Sequence, residues 1–224
     1  MEGDRAEEAA YLRSLIEKHR PAARTVLELG CGTGLLLEQL QPFFEVAGLD
    51  LSEKMLAFAT EKVPEARLFQ GDMSRLSLGE RFDVVICDDS IQHLLRFEEW
   101  EAVFDRACEH LDDEGVFILA VTTERQFAAL VEYSPWAHWT GDGDLLLMSQ
   151  TDDGDGAMTW GIRIFEHLGD SDYKLHSEDI RAVTAPADRI KASLSARFRR
   201  VRAYDAQRSR PTLQSDRLHF VCRK

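Results

Sequence analysis

Long apolar runs are absent from this 224-residue chain. No stretch approaches the roughly 20 residues that a membrane helix needs, so a membrane role is not expected. Positive charge is scarce: Lys and Arg total 27 against 40 Asp and Glu, a formal net charge of −13. A field of that sign repels a phosphate backbone and argues against a nucleic-acid partner. The densest basic stretch, Arg197, Arg199, Arg200 and Arg202, alternates with apolar residues and reads as the solvated face of a strand. The four cysteines, Cys31, Cys87, Cys108 and Cys222, show no CxxC or CxxH spacing, which excludes a disulfide framework and a zinc site as expectations. Scattered histidines, without HxxxH or HxxE spacing, give no reason to expect a metal. The opening MEGDRAEEAA is acidic and polar, unlike a secretory signal or an Arg-rich transit peptide, so the expected location is cytoplasmic. There is no internal repeat and no low-complexity segment.

What is present is alternation. Leu12, Leu15 and Ile16 recur at helical spacing from about Asp4, and Pro21 ends that helix. Short apolar runs follow at Thr25 to Leu29, Glu45 to Leu49, Ala66 to Gln70, Phe82 to Cys87 and Val116 to Val121. Helical segments separate them. Ser52 is placed to cap a helix whose apolar face carries Met55, Leu56 and Ala59. Trp100, Val103, Phe104, Ala107, Cys108 and Leu111 form the stripe of a longer helix, with LDDEG as the turn after it. Strands lacking polar alternation, separated by helices, predict a doubly wound α/β domain with a mostly parallel, Rossmann-like sheet.

Beyond Val121 the pattern changes. Asp144 to Ser149, Ala157 to Glu166 and Tyr173 to Val183 read as three antiparallel strands joined by the turns DDGDG and LGDSD. The expectation is a single domain over residues 1–224, with an antiparallel insert at 122–183 covering the acceptor side. Thr184 and Pro186 are expected to cap and open a helix running to about Ala196, and Phe198 to Tyr204 with Leu218 to Cys222 to form a closing strand pair that makes the C-terminal strand antiparallel.

The chemistry gathers at the strand ends. In open parallel sheets, ligands bind beyond the carboxyl ends of the strands, where the strand order reverses. Here those ends read Glu28 with Gly30, Cys31, Gly32, Thr33 and Gly34; then Asp50; then Gly71 with Asp72; then Asp88 and Asp89. A dinucleotide fingerprint wants G-x-G-x-x-G, but Leu35 occupies the last position and the third glycine comes one residue early. Glu28 would face the doubly charged pyrophosphate of a dinucleotide, a costly repulsion in a partly dry crevice. A cationic nucleoside lacking phosphate turns that carboxylate into an asset.

The stretches VLELGCGTG, VAGLDLSEKML, ARLFQGDM and FDVVICDDSIQHL, followed by a helix and LDDEGVFIL, resemble the class I S-adenosylmethionine-dependent methyltransferases in family order from Val26 to Leu119. The later part resembles the branch containing many small-molecule N-methyltransferases. The resemblance implies that Glu28 and the Gly30 to Gly34 loop hold the methionine end of S-adenosylmethionine. It implies that Asp50 takes the ribose hydroxyls, that Leu51 and Met55 flank the adenine, and that Asp72, after Gly71, accepts from the adenine amino group with the Met73 N–H beside it. Asp88 then begins the loop over the sulfonium, followed by Ser90 and His93. The product would be S-adenosylhomocysteine and the partner a small-molecule acceptor, methylated at nitrogen or oxygen.

Two departures stand out. The family loop YDSxNHL here reads DDSIQHL, so Asp88 replaces an aromatic residue and Gln92 an asparagine, a change that favours a cationic acceptor. Relatives also carry tyrosines in a lid ahead of the first helix; here Tyr11 is the nearest candidate. An amine acceptor must be neutral when it attacks, so the candidate bases are His93 and His176. His93 reads equally well as a helix-entry histidine bonded to its own loop, and His176, on one face with Glu178, as a solvated strand residue. Trp136, His138 and Trp139 fit either a roof over the acceptor or ordinary packing. A nicotinamide-dependent oxidoreductase and a non-catalytic cofactor-binding protein are the alternatives.

Overall fold

The computed structural model describes residues 2–154, 156–206 and 210–224, with residues 2–4 described by their backbone alone. Asp155 of the expected DDGDG turn lies outside the described residues. The first half alternates α1 (Glu2–His19), β1 (Thr25–Leu29), α2 (Leu35–Leu40), β2 (Glu45–Asp50), α3 (Glu53–Lys62), β3 (Arg67–Gln70), β4 (Phe82–Asp88), α4 (Phe97–Glu109) and β5 (Leu111–Thr122). The second half runs α5 (Glu124–Glu132), β6 (Trp136–Trp139), β7 (Leu145–Asp152), β8 (Ala157–Gly169), β9 (Asp172–Val183), α6 (Ala187–Ser195), β10 (Arg200–Asp205) and β11 (Arg217–Arg223).

Seven strands form the main sheet in the order β10-β11-β5-β4-β1-β2-β3. β1 to β5 pair in parallel, while β11 lies antiparallel to β5 and β10 antiparallel to β11. Successive strand residues serve opposite faces, and both faces are apolar. Leu27, Leu29, Val85, Cys87, Phe117 and Leu119 pack against Trp100, Val103 and Phe104 of α4 and Ile190 and Leu194 of α6. Val26, Val84, Ile86, Val116 and Ile118 pack against Leu12, Leu15 and Ile16 of α1 and Leu36, Leu37 and Leu40 of α2. That two-sided burial is why the strands read as unbroken apolar runs, and it bears out the doubly wound fold. Among the described residues no helix is long and apolar enough to cross a membrane.

Asp83 stitches the base of the sheet. Its Oδ2 accepts from Arg24 N, Thr25 N and Thr25 Oγ1, while its own N–H donates to Thr25 Oγ1, locking the first turns of β1 and β4 together. These backbone and hydroxyl donors, with the Arg20 guanidinium, outweigh burial and hold its carboxyl down at about 2.

Several boundaries differ from the sequence expectation. Leu111 is the first residue of β5, not the last of the helical stripe, and LDDEG forms an irregular start to that strand, where its register with β4 shifts. Thr184 does not cap α6: its hydroxyl donates to Thr122 O at 2.9 Å, and Pro186 occupies the cap position. The insert holds more than three strands. Within residues 122–183 α5 comes first, capped by Thr123 Oγ1 accepting from Gln126 N, and β6 adds a fourth strand in the order β6-β7-β8-β9. α5 packs Phe127 against Met158 and Ala182 at one end of this second sheet.

Candidate active site

The chain runs outward from β1 to β2 and β3, then returns to β4 on the other side of β1, so a crevice opens between the tips of β1 and β4. A cleft of about 330 Å³ lies there, walled by Arg5, Glu28, Gly30, Gly32, Thr33, Met55, Asp88, Asp89, Ser90 and His93 among others. The loop after β1 turns through three left-handed glycines, Gly30 (φ 74°), Gly32 (φ 54°) and Gly34 (φ 78°). At Gly30 a side chain is also sterically excluded, since a Cβ would come within 2.4 Å of Ser90 Cβ and Oγ. Gly30 N and Cys31 N both donate to Leu49 O, fastening the loop to the tip of β2.

Asp50 completes that fastening. Its Oδ2 accepts from Gly32 N and its Oδ1 from Ser52 N, each at 2.8 Å. Each oxygen keeps a further lone pair for a ligand hydroxyl. Ser52 caps α3 as expected, but the apolar side chain of Met55 turns away from the core, is 44% exposed and lines the cleft; Leu51 is 71% exposed beside it. Asp72 accepts from Ser74 N and Ser74 Oγ through Oδ1, capping the short 3-10 turn Met73–Arg75. Gly71 N donates to Asp50 O, so the β2 and β3 tips lie side by side.

Glu28 is the unusual group. It is 4% exposed, its Oε2 has no hydrogen-bond partner, and burial together with the neighbouring Asp88 charge pushes its carboxyl well above the usual range. Asp88, by contrast, is not a free anion. It ends β4 with a side chain 1% exposed, and it is paired to Arg5 Nη1 at 2.6 Å and to Arg217 Nη2. Arg217, at the start of β11, also meets Asp89 Oδ2 at 2.7 Å and Glu8 Oε1 at 3.5 Å, and Glu8 in turn bonds the fully buried His219 at 2.8 Å. The charge that sequence reading left open toward an acceptor is thus held by two arginines.

Asp89 follows in a left-handed conformation (φ 56°), its N–H donating to Ala120 O. Burial and the adjacent Asp88 raise its carboxyl above the usual range despite Arg217. Ser90 Oγ lies 3.0 Å from Gly30 O and 3.1 Å from Asp88 O and donates its single proton between them. Gln92 is buried: its amide donates to Thr122 O and Val183 O, and its Oε1 accepts from Thr122 N, clamping the ends of β5 and β9. His93 Nδ1 lies 3.3 Å from Arg181 O. A carbonyl only accepts, so Nδ1 carries a proton, and in the neutral ring the lone pair is on Nε2.

The cleft thus brings together Glu28, Gly30, Cys31, Gly32, Thr33, Met55, Asp88 and His93. Gly34 turns the chain into α2, while Asp50, Leu51, Gly71, Asp72 and Met73 line up along the neighbouring tips. His176 stands elsewhere: on β9, half exposed, its Nε2 is 2.7 Å from Glu166 Oε2, and it is not a wall of the cleft. Trp136, His138 and Trp139 lie on the exposed edge strand β6 and do not wall the cleft either. Tyr11 is buried, its hydroxyl donating to Asp205 O. Burial pushes the thiols of Cys31 and Cys87 upward, so both stay protonated. Arg5 and Arg217 went unnoticed in the sequence; the one signal was Asp88 itself, a carboxylate where the family pattern has an aromatic ring and therefore in need of counter-ions.

Residues 26–115 match the family model described as a methyltransferase domain. The chain is 42% identical over 114 residues to the dTDP-3-amino-3,6-dideoxy-alpha-D-glucopyranose N,N-dimethyltransferase of Streptomyces fradiae, covering 50% of this chain and 45% of that one. It is 29% identical over 218 residues to the putative methyltransferase YqeM of Bacillus subtilis, covering 93% and 87%. The crystal structure of Streptomyces venezuelae DesVI superposes with a TM-score of 0.82 at 25% identity, covering 98% of this chain and 91% of that one. The alignments to the curated sugar N,N-dimethyltransferases of S. fradiae and S. venezuelae span about half the length of those proteins, 45% and 50%.

Proposed function

We propose that the chain is a class I S-adenosylmethionine-dependent methyltransferase, as its matches to a methyltransferase domain and to sugar N-methyltransferases support, and that it transfers a methyl group from S-adenosylmethionine to nitrogen of a small-molecule acceptor in the cytoplasm. The observation that carries this reading is Glu28, a buried carboxyl with an unpartnered oxygen in the wall of a cleft beside a glycine loop. Such a group fits a ligand ammonium and repels a pyrophosphate. Arg5, 41% exposed and on the same cleft, fits the carboxylate of the same amino-acid end. When bound, S-adenosylmethionine supplies a methyl group on positively charged sulfur that needs no further activation.

The protein's work is then to hold and to exclude water. Glu28 and the Gly30 to Gly34 loop hold the amino-acid end, Asp50 the ribose hydroxyls, Leu51 and Met55 the adenine faces, and Asp72 with Met73 N–H the adenine edge. Asp88 acts through Arg5, which it orients. His93 Nε2 is the proposed base, its tautomer fixed by the Arg181 carbonyl. His176, tied to Glu166, has no part in this reading. The insert at 122–183 covers the acceptor side, because β9 reaches the turn that carries His93. The sugar N,N-dimethyltransferase relatives favour nitrogen over oxygen.

Calorimetric titration with S-adenosylhomocysteine and, separately, with NADH tests the reading. Binding of S-adenosylhomocysteine alone supports it; binding of NADH alone, or of neither, overturns it.

A further inference from the structure

Resting on the methyltransferase reading, we infer that Asp89 is the residue that grips the acceptor nitrogen, that Arg217 is the positioning residue that aims it, and that the acceptor is a cationic amine rather than an alcohol or a phosphate-bearing molecule. Three features carry this. Asp89 takes a left-handed backbone conformation that β-carbon sterics disfavour, held by its N–H bond to Ala120 O. This conformation, uncommon outside glycine and asparagine or aspartate, sets the Asp89 side chain beside Arg217 on the cleft wall. Arg217 Nη1 takes one edge of the carboxylate, Oδ2, at 2.7 Å. The other oxygen, Oδ1, has only a long 3.4 Å contact from Thr122 Oγ1, and the side chain is one-third exposed on the cleft that also holds His93. An oxygen with spare lone pairs, next to a histidine with a free Nε2, fits a group that brings several N–H donors, as an ammonium does.

Arg217 matters because two adjacent carboxylates, Asp88 buried and Asp89 one-third exposed, repel. Asp88 and Asp89 share it; Glu8 from α1 faces both Arg217 and Asp89, Arg5 from α1 faces both aspartates, and Glu28 from β1 faces Asp88. Without the guanidinium, burial and mutual repulsion favour a proton on one of the pair. Proton balance on the acceptor is simple: the ammonium gives one proton to His93 Nε2 and keeps its remaining N–H bonds to Asp89 Oδ1, and the nitrogen lone pair is freed. No other co-reactant is required. The arginines that meet these carboxylates are both paired with them, Arg5 with Asp88 and Arg217 with Asp88 and Asp89, which leaves no unpaired arginine pair poised for a diphosphate among the described residues of this cleft.

The test uses the full chain saturated with S-adenosylhomocysteine, titrated by NMR with cyclohexylamine and with cyclohexanol as matched probes. Wild-type protein should prefer the amine by roughly tenfold or more, the usual effect of a charge-assisted hydrogen bond. Asp89→Asn should lose that preference while keeping S-adenosylhomocysteine affinity. Arg217→Met should lose it at pH 6 and regain part at pH 8, and Arg217→Lys should restore it at both. Equal binding of the two probes by wild-type protein, including binding of neither, overturns the inference, as does an Asp89→Asn variant that still prefers the amine. Failure of S-adenosylhomocysteine itself to bind is the separate outcome that removes the methyltransferase reading.

Discussion

Replacing Glu28 with Gln should make the free protein more stable and the cofactor bind less well. The residue is 4% exposed with one oxygen unpartnered, so the folded state either bears an isolated buried charge or keeps the carboxyl protonated. Burial and Asp88 raise its folded pKa well above the value near 4.5 of the unfolded chain. The folded state therefore binds more protons across that window, and stability falls as pH rises through it. Glutamine does not titrate and removes that slope. The two proteins should unfold alike near pH 5, and the variant should gain about 1–3 kcal/mol toward pH 8, the cost of an unsatisfied buried polar group. For a chain of this size each kcal/mol moves the melting temperature by about 2–4 °C. The cofactor should respond in the opposite sense: losing a charge-assisted contact to the ammonium costs about 1.5–3 kcal/mol, or roughly 10- to 100-fold in Kd. Thermal unfolding at both pH values, with calorimetric titration in two buffers of different ionisation enthalpy, reads every part, and wild-type protein should release a proton on binding where the variant does not. A Glu28→Gln protein that melts below wild type at pH 8, or binds S-adenosylmethionine equally well, refutes the reasoning.

Asp83→Asn should destabilise the fold by about 2 kcal/mol at neutral pH, judged from the size of its pKa depression. That contribution is present above the unfolded value of 3.8 and is lost as pH falls through about 2, so acid unfolding curves of variant and wild type should converge there. Asp50→Ala should weaken S-adenosylhomocysteine binding by about 1–3 kcal/mol, with Asp50→Asn intermediate because one acceptor survives; equal affinities across the three would remove Asp50 from the ribose site. Gly30→Ala places a Cβ 2.4 Å from Ser90 at φ +74°. It should lower the melting temperature and cofactor affinity together, and a variant that keeps both would show the loop to be softer than its contacts imply.

How much of this was legible in the sequence follows from which forces are local. β1, β2, β4 and the Val116 to Val121 core of β5 read correctly because burial on both faces writes an apolar run into each, while β3 is only partly buried; Ser52 writes its cap one residue ahead of a helix. The insert was harder. β6 is exposed along its whole length and carries no alternation to read, while the α5 start at Thr123 to Gln126 does carry the signature of a capping box and was available. Arg217 was out of reach: it stands 129 residues from Asp88, and only the closing antiparallel strand, placed between β5 and β10, brings the two together.

That placement also explains how an aromatic position tolerates an aspartate. A bare carboxylate at the end of β4, 1% exposed and close to Glu28, would destabilise the fold by several kcal/mol, and the same low dielectric that makes it costly makes its ion pairs strong. Among the described residues, Glu8, Asp88 and Asp89 pair with Arg5 and Arg217, and Glu8 also with His219, so acidic groups outnumber arginines at this cleft even before Glu28 is counted. A chain of formal charge −13 extends that field outward, drawing in cations and repelling phosphates before any contact is made. The arginines then decide which acids stay available: they occupy Asp88 and one edge of Asp89, and they leave Glu28 Oε2 and Asp89 Oδ1 open. These two carboxylate oxygens, one on β1 and one just beyond the tip of β4, lie on either side of the switch point, where the proposed reading seats a cationic donor on one side and a cationic acceptor on the other.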